Sequence, residues 1–262
     1  SEGYANAFPI DVTSIDENYV HKADINPWAS FVPAVVYWST PRGFLTPVLH
    51  TGWRDETLSW HETASAHGGF SPVPAAVVRG PEAKKFLSET FVNDMENFPI
   101  GSSKHGLMLT DDGNVAAQGV LIRTGEYEYE SQWLSPWFEY SFGLGNYDAE
   151  IEDVTEKRLV IQVQGPKSLE ILEELTKTDL HDIAFVRSGE AEIDGLPVRI
   201  LRFGMSNSIG YEIQGRAEDA RHIHKRILEV GNPHGIRQIG TLAYMMNHTP
   251  GGNQQAQFHF ML

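Results

Sequence analysis

The sequence predicts an α+β protein built from two pseudo-duplicated domains of the βαββ type, with mixed or antiparallel sheets. The first observation is a repeat, because Val78-Arg-Gly80-Pro81 is matched 85 residues later by Val163-Gln-Gly165-Pro166. In both copies an apolar run reaches Gly-Pro and an amphipathic pattern follows, which indicates a strand, a tight turn and a helix. The second observation is that two strand patterns joined at Asp-Gly follow each helix, as in a hairpin. Two copies are too few for a solenoid, so we expect a pair of related domains.

Each element of the repeat has a local pattern that predicts it. A helix is expected to begin at Pro81 and at Pro166, because the first turn of a helix leaves the missing N–H of proline without consequence. The predicted strands of the first copy are Ala75–Val78, His105–Thr110, Val115–Arg123 and one near residues 127–130, and those of the second copy are Leu159–Val163, Ala191–Ile193, Val198–Phe203 and Tyr211–Ile213.

Further helices are predicted outside the repeat. An amphipathic pattern favours a helix over Trp53–Ala66 that ends at Gly68-Gly69. Other helices are expected over Pro136–Phe142, over Ala217–Val230 and from about Ile239. The first fifty residues contain repeated prolines, which predicts an irregular segment with short strands.

Composition excludes several function classes. The 262 residues include 20 Lys and Arg against 35 Asp and Glu, a formal net charge of −15 that disfavours nucleic-acid and membrane-surface partners. The absence of cysteine excludes disulfides and thiolate chemistry. The histidine spacing does not match a zinc site, so we expect no metal. No apolar run reaches the roughly 20 residues of a membrane span, and the start lacks a signal-peptide pattern, so we expect a cytoplasmic protein.

Four segments carry a resemblance to a known family. Val78–Leu87, Gly113–Arg123, Val163–Leu172 and Gly204–Ile213, in this order, resemble the glycine-cleavage T-protein (aminomethyltransferase) superfamily, whose members bind tetrahydrofolate. The resemblance implies a central folate cleft and tetrahydrofolate as the cofactor. It also implies a discontinuous folate-binding domain half over residues 1–60 and 157–237, and a second α+β domain over residues 61–156 and 238–262. From the resemblance we expect the chain to be either a short member of the family, without its C-terminal β-domain, or a fragment.

Departures from the family pattern narrow the resemblance. The aminomethyltransferases carry a pair of aspartates where this chain has Asn114-Val115-Ala116-Ala117-Gln118-Gly119, and an arginine where it has Tyr244. The run Ala243–Thr249, together with Trp53-Arg54-Asp55-Glu56, resembles the tetrahydrofolate-dependent aryl O-demethylases of the vanillate and syringate type. This resemblance implies a methyltransferase that demethylates a small methoxylated aromatic acid, giving 5-methyl-tetrahydrofolate and a phenol.

Tyr244 is the predicted catalytic residue. When a methyl group leaves an aryl ether, negative charge grows on the phenolic oxygen, and a proton donor of matched pKa would stabilise it. A tyrosine, with an ordinary pKa of about 10, is close to such a phenol. The residues alone favour a core tyrosine beside Met245 and Met246; the resemblance assigns the catalytic role.

Four residues are predicted to bind the cofactor. A carboxylate facing inward from the strand around Glu212 would need paired donors, and the pterin edge offers two parallel N–H groups in suitable geometry. The resemblance assigns this contact to Glu212, although a surface glutamate fits the pattern too. Gly204 and Gly210 flank a loop that would let backbone groups approach the cofactor, and Tyr211 lies beside Glu212.

Three residues are predicted to bind the substrate. Arg123 could hold a benzoate carboxylate through its guanidinium fork, or it could pair with Glu126 or Glu128. His61 could contact the phenolic or methoxy oxygens, or lie packed or exposed on its helix. Tyr37 is a candidate for lining an aromatic pocket.

Alternatives remain at this stage. The chain could be an aminomethyltransferase or another small-molecule demethylase of the same superfamily, or a folate-binding module without catalysis. The apolar end Phe258–Leu262 predicts packing against a partner, which we expect to be a second copy of the chain or the C-terminal β-domain of the family.

Overall fold

A computed structural model of the chain describes residues 37–39, 46–68, 73–204 and 208–252. Within these residues the strands are, in chain order, β1 (Tyr37–Ser39), β2 (Thr46–Leu49), β3 (Ala64–Gly68), β4 (Ala75–Arg79), β5 (Ser103–Leu109), β6 (Val115–Arg123), β7 (Glu128–Gln132), β8 (Glu150–Asp153), β9 (Arg158–Gln164), β10 (Ser188–Ile193), β11 (Leu196–Arg202), β12 (Gly210–Arg216) and β13 (Ile236–Gln238). The α-helices are α1 (Trp53–Glu62), α2 (Ala83–Thr90), α3 (Trp137–Leu144), α4 (Ser168–Thr176), α5 (Ala220–Gly231) and α6 (Thr241–His248).

The chain divides into two compact units. Unit A comprises the described residues up to 68, Leu159–Phe185 and the described residues from Gly189 on, and unit B comprises Val73–Arg158 with Val186–Ser188. The predicted domain boundaries differ from these units, since residues 61–68 and 238–252 lie in unit A. The reason is pairing and packing: β3 pairs with β9 and with β13, and α6 packs against α1.

Unit A contains a six-stranded mixed sheet, here called sheet A. Its strand order is β10-β11-β12-β9-β3-β13, with β13 parallel to β3 and β3 antiparallel to β9. One face packs into a hydrophobic core with α4 and α5, to which Ile171, Leu172 and Ile223 contribute. β1 and β2 form a separate antiparallel pair.

Unit B contains a five-stranded sheet, here called sheet B. Its strand order is β5-β6-β7-β4-β8, and every pair of neighbours is antiparallel. Phe86 of α2 and Phe138 of α3 pack against each other with ring centroids 5.1 Å apart in its core. With the mixed sheet A, this confirms the predicted α+β class with mixed and antiparallel sheets.

The predicted elements of the repeat are present in both units. In unit B the order is β4, α2, β5, β6, β7, and in unit A it is β9, α4, β10, β11, β12. The prediction of one helix over Trp53–Ala66 was wrong at its end, because the helix stops at Glu62 and β3 begins at Ala64. The alternating small residues of β3 place Ala64 and Ala66 in the core of unit A.

The glycine of each Gly-Pro turn is required by its conformation and by its neighbours. Gly165 has a φ of 117°, and a Cβ there would lie 2.7 Å from the carbonyl oxygen of Thr63. Gly80 has a φ of 138°, and a Cβ would lie 2.6 Å from the Cα of Ala149. The prolines lie in the turn, and the helices begin two residues later, at Ala83 and Ser168.

None of the helices in the described ranges combines the length and the apolar character needed to cross a bilayer. The cytoplasmic location stays a prediction. Packing of Phe258–Leu262 also stays a prediction, since these residues lie outside the described part of the chain.

We predict that Gly165→Ala lowers the free energy of unfolding by about 3 kcal/mol or more, because the added methyl group meets backbone atoms and the φ is strained. Gly195→Ala is the matched control: its φ is 81° but no atom lies within 4 Å of the added Cβ, so about 1 kcal/mol is expected. Urea denaturation followed by circular dichroism measures both. Equal losses would show that steric contact at Gly165 is unimportant.

Candidate functional site

The second face of sheet A carries polar side chains. Side chains alternate along a strand, so the neighbours of the core residues Ile161, Val163 and Ile213 point to the opposite face. This face carries Ser65, His67, Gln162, Gln164, Glu212 and Gln214. Ser65, Gln164, Glu212 and Gln214 are all less than 5% exposed, so their polar atoms need partners inside the protein.

Glu212 is a buried carboxylate held by amide groups. It is 3% exposed. Gln162 Nε2 donates to its Oε1 at 3.0 Å, and Gln214 Nε2 donates to its Oε2 at 2.8 Å. Gln214 Oε1 in turn accepts from Arg199 Nε at 2.7 Å. Glu212 is therefore held in the folded protein by donors on its own sheet face, as a buried carboxylate requires.

Tyr244 is connected to Glu212 through Gln162. It lies on α6, its ring is half-buried, and its hydroxyl is hydrogen-bonded to the Gln162 side chain. Burial raises the pKa of Tyr244 well above its usual value of 10, the negative charge of Glu212 raises it further, and the hydrogen bond with Gln162 opposes both effects. The sequence predicted that Tyr244 would have the pKa of an ordinary phenol. In the folded protein, burial and Glu212 raise this pKa.

Aromatic rings surround the Tyr244 side chain. The His67 ring stacks on it with centroids 4.0 Å apart and an interplanar angle of 16°. Trp60 of α1 makes an edge contact at 5.9 Å, and His248, one turn further along α6, lies at 4.2 Å. His248 Nδ1 lies 2.7 Å from the backbone oxygen of Tyr244. These contacts fix the plane of the phenol ring.

The histidine stacked on Tyr244 is neutral at pH 7. The pKa of His67 is lowered to about 4, mainly by burial, with smaller contributions from His248 and His50 and against the opposing effect of the hydrogen bond to the Ile239 carbonyl. Part of the ring surface is open, but the atoms packed around it leave little water to stabilise a charge. His67 therefore adds no positive charge beside the phenol at neutral pH.

Glu56 fixes the position at which α6 begins. This carboxylate is fully buried, and its Oε1 accepts from the backbone N–H groups of His50, Thr51 and Gly52 at 2.7–3.1 Å. Its Oε2 accepts from the N–H of Gly240, the N-cap of α6, at 2.8 Å. Glu56 thereby ties the start of α1 to the start of the helix that carries Tyr244.

His61, a predicted substrate residue, contacts the same helix. It is exposed on α1, and its Nε2 lies 3.1 Å from Oδ1 of Asn247, three residues after Tyr244. Nδ2 of Asn247 is buried without a hydrogen-bond partner. His61 is thus connected to α6 through Asn247.

The other three predicted cofactor residues, Gly204, Gly210 and Tyr211, do not share the surroundings of Glu212. Gly210 opens β12, and a Cβ there would lie 2.6 Å from Cγ of Gln164, so only glycine leaves room for that glutamine. Gly204 packs on the backbone of Ser208 at the base of the loop whose residues 205–207 lie outside the described ranges. Tyr211 is fully buried in the hydrophobic core of unit A, on the face opposite Glu212, so its side chain is not part of the Glu212 group.

Arg123 lies in unit B and is held by main-chain atoms. Nε donates to the carbonyl of Gly125 at 3.1 Å, Nη1 to that of Phe98 at 2.8 Å and Nη2 to that of Glu126 at 2.8 Å. The guanidinium also lies 5.6 Å from the ring centroid of Tyr129. Three of its five N–H donors are therefore used structurally. Tyr37 lies in β1, but its side chain falls outside what the structure describes.

Sequence reasoning did not assign several residues of this group to the site, among them Gln162, Gln164, His67 and Glu56. Gln162 and Gln164 alternate with Val163 in an otherwise apolar strand, a period-two signal that marks a polar sheet face. Glu56 belongs to the run Trp53–Glu56 that carries part of the resemblance, but nothing in the sequence predicted its burial, because an acidic residue near a helix start is normally exposed.

Comparison with known proteins identifies the chain's relatives. Residues 20–249 match the family described as the GCVT N-terminal domain. The chain is 37% identical to a sesamin methylene transferase from a Sinomonas species over 84% of its length and 49% of that protein. It is 26% identical to a syringate O-demethylase from a Sphingobium species over 79% of its length and 47% of that protein. The chain thus spans about half the length of these curated relatives.

A solved structure shows the same fold. The glycine cleavage system aminomethyltransferase T from Bartonella henselae superimposes with a TM-score of 0.74 at 19% identity, covering 85% of this chain and 61% of that chain. The family match and the curated relatives confirm the resemblance to the aminomethyltransferase superfamily, and these relatives include a syringate O-demethylase.

We predict that unit A loses stability as the pH falls from about 6.5 to about 4. Burial lowers the pKa of His224 to about 4, so between these values the unfolded chain binds a proton that the folded chain does not. The loss for this 2%-exposed residue amounts to about 3 kcal/mol. Urea unfolding from pH 7.5 to 4.5 should show a smaller decline in His224→Gln, whereas replacing the exposed His181 should change nothing. A pH-independent stability would contradict the prediction.

We predict that Glu56→Gln lowers the free energy of unfolding by about 2 kcal/mol or more. Both oxygens of Glu56 accept from backbone N–H groups, so in either orientation the NH₂ group of the glutamine would face N–H groups that need an acceptor. Glu62→Gln, on the exposed side of the same helix, is the control and should be neutral. Thermal unfolding measures both variants, and equal melting temperatures would refute the buried role of Glu56.

Proposed function

Because the chain belongs to the GCVT family, whose members use tetrahydrofolate, we propose that it takes part in tetrahydrofolate-dependent demethylation of a small methoxylated aromatic acid, giving 5-methyl-tetrahydrofolate and a phenol. The tetrahydrofolate prediction is confirmed at the level of the family. The observation that carries the substrate proposal is the placement of the Tyr244 phenol one amide away from the buried carboxylate Glu212.

The polar face of sheet A suits a pterin. Glu212 is a buried acceptor, and a carboxylate accepts two parallel N–H groups of the kind that a pterin offers. Beside it, Oε1 of Gln164 is buried without a hydrogen-bond partner, although such an acceptor needs a donor. Gly210 leaves room at this point. We propose that Glu212 and Gln164 hold the pterin edge.

Tyr244 is the proposed proton donor. Tetrahydrofolate, when bound, supplies the nitrogen that receives the one-carbon group. The C–O bond of the aryl ether breaks with its electron pair on the phenolic oxygen, and Tyr244 stabilises this charge by donating its hydroxyl hydrogen. The proton lost from the reacting nitrogen balances the proton that the phenolate finally takes up, so no oxidant or reductant is needed.

The raised pKa of Tyr244 defines how it acts. Because burial and Glu212 raise the pKa above that of an ordinary phenol, Tyr244 stays protonated through neutral and mildly alkaline pH. Donors that engage Glu212 would offset part of its charge and bring the pKa of Tyr244 back towards that of the leaving phenol. Occupation of the Glu212 side would in this way prepare the proton donor.

A second candidate substrate is a neutral aryl methylenedioxy ether. The 37% identity to a sesamin methylene transferase favours it. Loss of the methylene carbon breaks both of its C–O bonds and leaves charge on each phenolic oxygen in turn, so that the product is a catechol. Arg123 is predicted to hold a benzoate carboxylate, but three of its N–H donors bind backbone carbonyls. A neutral substrate has no carboxylate and would not need these donors. Substrate contacts of Arg123, His61 and Tyr37 stay predictions.

Two alternatives keep the family but change the role. An aminomethyltransferase would need a carboxylate where this chain has Asn114–Gly119, and a folate-binding module would bind the cofactor without turnover. A partner, whether a second copy or a further domain, also stays a proposal.

We further infer that the two units arose by duplication. Their elements follow the same order along the chain, and Tyr129-Glu130-Ser131-Gln132 corresponds to Tyr211-Glu212-Ile213-Gln214.

We predict that the protein forms 5-methyl-tetrahydrofolate from tetrahydrofolate and vanillate or syringate under anaerobic conditions, and that Tyr244→Phe lowers the rate about 10²–10⁴-fold, as loss of a general acid does. Tetrahydrofolate binding by calorimetry should be unchanged in this variant. Sesamin as substrate tests the second candidate.

Replacing the exposed Tyr140 by phenylalanine is the control and should leave the rate unchanged. Folate binding without product from any aryl ether would favour the binding module, and product formation from methylene-tetrahydrofolate with a lipoyl protein would favour the aminomethyltransferase. An unchanged rate in Tyr244→Phe would remove Tyr244 from the chemistry.

A further inference from the structure

We propose that His67 is a ligand-binding residue: Nε2 of its imidazole, beside the phenol of Tyr244, accepts a hydrogen bond from an N–H or O–H group of the bound cofactor or substrate. A reduced pterin and a phenol both offer such a donor. The identity of the ligand rests on the proposed function, whereas the hydrogen-bonding state of His67 is a property of this chain alone. His67 lies on β3 and Tyr244 on α6.

The backbone determines which ring nitrogen of His67 carries a hydrogen. Nδ1 lies 3.0 Å from the carbonyl oxygen of Ile239. A carbonyl oxygen can only accept, so Nδ1 must supply the hydrogen of this bond. A neutral imidazole has a single N–H. Nε2 of the neutral ring therefore has a lone pair and no hydrogen.

The surroundings of His67 keep its imidazole neutral at pH 7. Burial is the main reason that its pKa is lowered to about 4, and the charges that act on it are those of two other histidines, His248 and His50. The groups that shift this pKa include no carboxylate that would favour the charged form. The ring is thus an acceptor at Nε2 under the conditions in which the protein is assayed.

The bond to Ile239 belongs to a rigid connection between β3 and α6. The N–H of Ile239 donates to the carbonyl of Ala66 at 2.9 Å, so residues 66 and 67 bind both backbone groups of Ile239. The next residue, Gly240, is the N-cap of α6 and is held by Glu56. Turning the imidazole over would break the bond at Nδ1. Nε2 is therefore held at the end of the ring that lies away from the β3 backbone.

The lone pair of Nε2 is open to a ligand. The His67 side chain is partly exposed, and the bond at Nδ1 is its one hydrogen bond to the residues that the structure describes. Nε2 is not among the polar atoms that are sealed in the interior without a partner. A molecule that enters over the polar face of sheet A can therefore reach this nitrogen.

The other groups on this face favour a ligand that brings hydrogen-bond donors. Glu212 is a buried carboxylate, and Oε1 of Gln164 is a buried acceptor without a partner. His67 pairs with Gln162 across β3 and β9, so it lies next to them on the same sheet. Its ring stacks on the phenol of Tyr244 with centroids 4.0 Å apart. A donor bound at Nε2 would thus lie beside the proposed proton donor.

Asparagine and glutamine separate the roles of the two nitrogens. The amide nitrogen of asparagine can replace Nδ1 as the donor to Ile239, whereas the longer glutamine can place its amide oxygen near the position of Nε2. Both replacements remove the stacked ring. We expect the ligand that donates to Nε2 to bind about fivefold more weakly to His67→Asn than to His67→Gln, as for one hydrogen bond. His181→Asn, at an exposed position, is the control and should bind like the unchanged protein.

The direct test is NMR of protein with ¹⁵N-labelled histidine rings, in which His67→Asn assigns the two His67 signals. If this variant does not fold, His67→Gln assigns them. At pH 7 without ligand, we expect Nδ1 to show the signal of a protonated nitrogen and Nε2 that of an unprotonated one. The ligand that donates to Nε2 should move the Nε2 signal to lower frequency and leave Nδ1 nearly in place.

Three ligands distinguish the two sources of the donor. A shift with tetrahydrofolate alone identifies the pterin. A shift with vanillate but not with veratrate, which has a methoxy group in place of the phenolic hydroxyl, identifies the phenol. A protonated Nε2 in the free protein would overturn the proposal, and so would an unmoved Nε2 signal while calorimetry shows tetrahydrofolate and vanillate to be bound. A shift in protein that forms no 5-methyl-tetrahydrofolate from any aryl ether would support the binding role and refute the proposed function instead.

Discussion

A carboxylate buried on the polar face of a sheet, Glu212, sets the requirements for the residues around it. Removing a charge from water is costly unless donors replace the water. Gln162 and Gln214 supply those donors, and each is oriented by a further partner, Gln164 or Arg199. The alternation of side chains along β9 and β12 brings all of these groups to one face.

The charge of Glu212 also acts on the helix packed nearby. At pH 7 the His67 ring that stacks on Tyr244 is neutral, because its pKa is lowered to about 4, so it does not compensate the charge of Glu212. The phenol therefore experiences burial and a negative charge together, and its proton is held firmly. Gln162 donates to Glu212 and is hydrogen-bonded to Tyr244, so this amide connects the carboxylate with the phenol.

A second buried carboxylate, Glu56, uses backbone donors in place of side chains. Its four N–H partners come from the segment before α1 and from Gly240. Glu212 accepts hydrogen bonds from side-chain amides. Glu56 accepts from main-chain N–H groups, and these hold the start of α1 next to the start of α6. In unit B, Glu130 combines a glutamine, Gln132, with an arginine, Arg158. Buried glutamates of this protein are thus held by three different sets of hydrogen-bond donors.

The sequence by itself determined the two strand–turn–helix repeats, the hairpins at Asp-Gly, the α+β class and the family, because these depend on local periodicity, turn residues and their order. It also singled out Tyr244 and Glu212, through resemblance. Only the tertiary structure decided that the segment after Glu62 is a strand, since pairing with β9 outweighs the helical pattern. The roles of Gln162, Glu56 and His67, the burial of Tyr211 and the pKa of Tyr244 were likewise decided by residues far apart in the chain, whose distances no local pattern specifies.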